Sequence, residues 1–94
     1  MIITISKFEH GRLHQAASAF IQLHNMQARA YECGAVDAPA YMKCADTACA
    51  EFQRLLGNHT QLFTEINKAE YNGILAFAIV LCTQDKNSDT VEVA

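Results

Sequence analysis

Gly73-Ile74-Leu75-Ala76-Phe77-Ala78-Ile79-Val80-Leu81-Cys82 decides the fold of this chain. As a buried strand it would pair with the β-branched opening, Met1 to Ile5 (MIITI). As a helix it completes a bundle. Ala76 and Ala78 disfavour a strand. A stripe of Leu62, Phe63, Ile66, Ala69, Gly73, Phe77, Val80 and Leu81 also runs through it at helical spacing. Asn58-His59-Thr60-Gln61 reads as a capping box. The spacing predicts a third helix over 59–82. It ends where the chain turns polar at Thr83 to Asp89, and the tail Thr90 to Ala94 is expected to be loose or a short extended piece.

Upstream, Asp37 to Gly57 reads as the second helix, over 38–56. Asp37 is placed to cap it, Pro39 falls in its first turn where a missing N–H costs little, and Gly57 is the expected stop. Its apolar stripe is Tyr41, Met42, Ala45, Ala48, Cys49, Phe52, Leu55 and Leu56, opposite Lys43, Thr47 and Arg54. The first helix, over 7–33, opens on Ser6-Lys7-Phe8-Glu9, a second capping box, and stops at Gly34. Leu13, Ala16, Ala17, Phe20, Leu23, His24, Gln27 and Tyr31 share one of its faces. Connections of about three residues force antiparallel neighbours. The expected fold is all-α, an up-down-up three-helix bundle forming one domain over 1–94, preceded by a short extended segment.

Ninety-four residues with 51% hydrophobic side chains suffice for one modest core and exclude a disordered chain. Seven basic residues are spread evenly against ten acidic ones, for a net charge of −3, which argues against a nucleic-acid stripe. The longest apolar run, Ile74 to Cys82, is too short for a membrane span of about 20 residues. No secretory signal is visible. Cys33, Cys44, Cys49 and Cys82 lack Cys-x-x-Cys or knuckle spacing and read as reduced thiols, so a cytoplasmic protein is expected.

The third helix carries a second apolar stripe: Tyr71, Leu75, Ala78, Ile79 and Cys82. A bundle helix buries one side. The second stripe is therefore expected to be a protein interface, most simply that of a symmetric homodimer. A terminal segment folded across it is the alternative. Should that helix be consumed in a dimer, Ile21 and Met26 of the first helix would face a target.

Chemistry-bearing patterns are few. His10 and His14, four apart, share a helical face and could supply two metal ligands, but Gly11 stands where a zincin motif needs Glu. His24, Gln27 and Glu70 point toward the core by phase. A His24–Glu70 pair could be a catalytic acid and base, or a polar layer that sets the register of the bundle; the polar layer is the expectation. No marked nucleophile, P-loop or dinucleotide fingerprint occurs. The sequence therefore reads as a small non-enzymatic interaction module, of the inhibitor, immunity-type or accessory kind, with no cofactor or metal and no nucleic-acid or membrane partner. The alternative is a metal- or ligand-binding bundle using His10 and His14.

Overall fold

The computed structural model describes residues 2–59, 66 and 69–93. In chain order the elements are β1 (Ile2–Thr4), α1 (Lys7–Glu32), α2 (Ala38–Leu56), α3 (Tyr71–Cys82) and β2 (Thr90–Glu92). Among the described residues, three packed helices form the body, as expected. α1 packs along α2 on one side and carries α3 on another, while α2 and α3 meet more lightly. The decisive run is helical throughout, so the strand reading of 74–82 is excluded.

Local chemistry explains the ends of α1. The Ser6 hydroxyl accepts the Glu9 N–H at 3.1 Å, the first half of the capping box. The Glu9 carboxylate lies instead against Arg12 (3.9 Å) and His59 (3.5 Å). At the other end Gly34 takes φ +68°, its N–H bonds to the Tyr31 carbonyl, and the Ala35 N–H bonds back to Ala30. This Schellman closure satisfies carbonyls that the helix would otherwise leave open.

The caps of α2 differ from expectation. Asp37 holds the N-cap position, but its side chain makes no capping bond; its carbonyl receives the Ala40 and Tyr41 N–H groups. Gly57 is right-handed at φ −61°, and the Asn58 and His59 N–H groups bond back to Leu55 and Leu56. Asn58 and His59 thus prolong the end of α2. Of that proposed capping box, Thr60 and Gln61 lie outside the described residues, as do Leu62 and Phe63.

A single helix over 59–82 is not what forms. Ala69 and Glu70 are non-helical, Glu70 is the N-cap of α3, and its carbonyl takes the Ile74 N–H at 3.0 Å. The break resets the helical phase. The buried face of α3 is Ile74, Phe77, Ala78 and Leu81, whereas Gly73 and Val80, both placed in the core by the unbroken stripe, are exposed.

The termini close the fold. β1 and β2 pair antiparallel, with Ile2 opposite Glu92, Ile3 opposite Val91 and Thr4 opposite Thr90. The Ile5 N–H extends the pairing to the Asp89 carbonyl at 2.8 Å. Alternation sends Ile3, Ile5, Val91 and Val93 inward, where they join Leu13, Phe20, Phe52, Leu56 and Leu81 in one core. The short extended segment expected at the start of the chain is a strand paired within the chain.

At the helical break, a Cβ added to Gly73 would lie 2.6 Å from the Ala69 Cβ, too close without backbone movement. In an unobstructed helix Gly→Ala gains about 1 kcal/mol. Here the clash reverses the sign. Gly73→Ala is expected to destabilise the fold by about 1–3 kcal/mol in urea denaturation.

Candidate functional site

The second stripe of α3 is largely used inside the monomer. The Tyr71 ring meets Phe20 edge-on at 5.2 Å between centroids, and Tyr71, Leu75, Cys82 and Ile21 are half-buried against the core. Ala78 is fully buried. Of the residues proposed as interface anchors, Ile79 (49% exposed) and Met26 (45%) remain outward, joined on α3 by Val80. The stripe faces inward because the break at Ala69–Glu70 turns α3 and lays this side on α1.

The polar layer forms with a different third member. His24 Nδ1 lies 2.9 Å from the Tyr71 hydroxyl and 3.5 Å from the Gln27 amide nitrogen. An amide N–H can only donate, so Nδ1 is the acceptor and Tyr71 donates. Burial, then Asp46 and Cys49, push the Tyr71 phenol up, which keeps it a donor at neutral pH. Glu70 is exposed at the start of α3. The His24–Glu70 acid–base pair therefore does not assemble. Tyr71 was legible as an apolar ring, but its hydroxyl became a partner for His24 only with the corrected phase.

His10 is fully buried, and its Nδ1 donates to the Ser88 carbonyl at 2.8 Å. A carbonyl can only accept, so this bond places the proton on Nδ1. His14 meets the His10 ring edge-on at 4.9 Å. Among the described residues, Nε2 of His10 and His14 is buried without a hydrogen-bond partner, while His59 Nε2 has the Glu9 carboxylate at 3.5 Å. No third His, Cys, Asp or Glu joins the pair in a metal-holding group among those residues. Burial, then His10 and Lys86, lower the His14 pKa, with Asp85 opposing.

All four cysteines are free: Cys33 and Cys44 exposed, Cys49 buried and Cys82 half-buried. Burial raises the pKa of both Cys49 and Cys82, which leaves them protonated and poorly nucleophilic. No described helix is long and apolar enough to cross a membrane.

Two open grooves were not legible in the sequence. One, of about 740 Å³, lies between α1 and α2, and no residue of α3 lines it. Its floor is built from small residues, Ala16 and Ala19 on α1 and Ala40 and Ala48 on α2, with Lys43, Thr47 and Glu51 along α2. The other, of about 650 Å³, lies between the first turns of α1 and the 83–89 loop. Comparison with protein families, with curated proteins and with solved structures finds no match.

The reassigned polar layer has a direct check. Tyr71→Phe keeps the ring on Phe20 and removes one half-buried bond, so a loss of about 0.5–1.5 kcal/mol in urea denaturation is expected. Glu70→Gln, at an exposed position, should stay within about 0.5 kcal/mol of wild type. The reverse order would restore the His24–Glu70 pairing.

Proposed function

We propose that this protein is a non-enzymatic interaction module of the inhibitor, immunity-type or accessory kind. It works in the cytoplasm as a homodimer, and the α1–α2 groove is the subunit interface. The observation that carries the reading is the apolar groove floored by Ala16, Ala19, Ala40 and Ala48. Small residues let a second helix approach closely, and a groove on a helical pair suits a helical occupant.

A second copy of α2 matches this groove in charge. Lys43, Thr47 and Glu51 recur every four residues and so share one face. When α2 packs antiparallel on its own two-fold copy, Thr47 meets Thr47, and each Lys43 faces the other copy's Glu51. The bond from Arg54 holds the Glu51 carboxyl below the usual carboxylate range, so that charge persists at neutral pH. Two-fold dimers pair a surface with itself, which requires this kind of self-complementarity. The groove thus takes over the role that the sequence assigned to the third helix. Four free cysteines suit a reducing compartment.

Light scattering of the full chain at about 100 µM tests the proposal. The expected mass is that of a dimer for the wild type and a helical monomer for Ala48→Glu. Lys43→Glu is expected to weaken the dimer, and adding Glu51→Lys to restore it, because the swap preserves complementarity. Ile79→Asp should remain dimeric. A monomeric wild type, or dissociation by Ile79→Asp and not by Ala48→Glu, refutes the groove as subunit interface.

A further inference from the structure

We propose that the groove between the first turns of α1 and the 83–89 loop binds a phosphate ester of mononucleotide size. This site is separate from the α1–α2 groove and does not rest on the dimer. Its volume, about 650 Å³, falls in the range of small-ligand sites, roughly 300–1,000 Å³.

The charge on its walls is one-sided. Lys7, Arg12 and Lys86 all line it, and no Asp or Glu does among the described residues. In a chain of net charge −3 with seven basic residues, three of them meet at one groove. Two carboxylates lie nearby and partly offset the charge of Arg12 and Lys86. Glu9 lies against Arg12 and His59, and Asp85 accepts the Asn87 N–H at 2.9 Å. Lys7 and Lys86 make no ion pair among the described residues. Concentrated positive charge with free ammonium donors is the recognition chemistry of a phosphate.

The groove also carries an aromatic wall. Phe8 is 72% exposed, and the Arg12 guanidinium lies 5.8 Å from its ring centroid. An exposed ring backed by a cation offers a stacking surface for a planar group. This feature favours a nucleotide-like ester over inorganic phosphate alone.

The loop side of the groove is held in place before any ligand arrives. The buried His10 N–H fixes the Ser88 carbonyl. Gln84 accepts the Glu92 N–H and donates to the Glu92 carbonyl, both at 2.8 Å, which ties the loop to β2. Lys86 and Asn87 therefore sit on an anchored wall. His14 lines the same groove with its Nε2 unpartnered among the described residues. Its low pKa leaves it neutral at physiological pH, since burial, His10 and Lys86 disfavour the proton and only Asp85 favours it. A bound phosphate would favour that proton, so binding strengthens on acidification.

Calorimetric titration of the full chain with ADP, pyrophosphate and adenosine at low salt tests the site. ADP and pyrophosphate are expected to bind and adenosine not to. Lys7→Ala combined with Lys86→Ala should weaken ADP about tenfold or more; both positions are exposed, so the fold is retained, as circular dichroism will confirm. Phe8→Ala should weaken ADP and spare pyrophosphate. Wild-type affinity for ADP should rise several-fold from about pH 7.5 to about pH 6, and His14→Ala should abolish that rise. Adenosine binding as tightly as ADP, no heat from either anion, an unchanged affinity in the folded double variant, or equal effects of Phe8→Ala on ADP and pyrophosphate overturns the proposal. So does displacement of ADP by low concentrations of polyglutamate, which would make the groove a peptide site.

Discussion

The pairing of β1 with β2 completes the core that the described helices build. Ile3, Ile5, Val91 and Val93 come from the two ends of the chain, yet each is almost fully buried among helix residues. Burying such aliphatic side chains contributes roughly 1.5–3 kcal/mol apiece, against a net stability that is about 5–15 kcal/mol for a whole domain. The ribbon is therefore part of the core. It also fixes the loop before β2, where the His10–Ser88 bond is the polar counterpart of the apolar seal.

α3 depends on a second constraint, the interruption at Ala69–Glu70. Turning the helix there brings Ile74, Phe77, Ala78 and Leu81 onto the core, and Tyr71 onto Phe20 and His24. Gly73 belongs to the same device, because its missing side chain leaves room for the Ala69 Cβ. Because α3 settles mainly on α1, the other side of the α1–α2 pair stays open. The groove proposed as the subunit interface thus follows from where α3 sits.

Much of this architecture was legible in the sequence. Ser6 and Gly34 bound α1 through local chemistry that acts in any context, and the spacing of Ala45, Cys49, Phe52 and Leu56 records which side of α2 is buried. The third helix was legible as a helix but not in its phase. One stripe extended across Ala69 and Glu70 puts Phe77 and Leu81 inside, where they are, but also puts Val80 inside and leaves Tyr71 outside. Glu70 and Tyr71 are adjacent, and the same shift in phase exchanged them as the partner of His24. The strand pairing joins segments nearly the whole chain apart, and periodicity carries no signal for that. Likewise, a groove arises from the relative placement of elements, so Lys7, Arg12 and Lys86 look evenly scattered until α1 and the 83–89 loop are brought together.

The ribbon has a further consequence for how the chain reaches this structure. α1 and α2 are joined through the tight closure at Gly34, so their contacts form at small loop-closure cost. The partners Ile3 and Val91 are separated by almost the entire sequence. That closure becomes favourable only after the helices have shortened the distance between the ends, so it belongs to the late part of folding. The same ordering in reverse makes the ribbon the natural first opening of the native state, exposing its amides to exchange before those of α1 and α2. Lys86 lies just ahead of β2, so partial unzipping would loosen one wall of the basic groove while the helical pair stays folded.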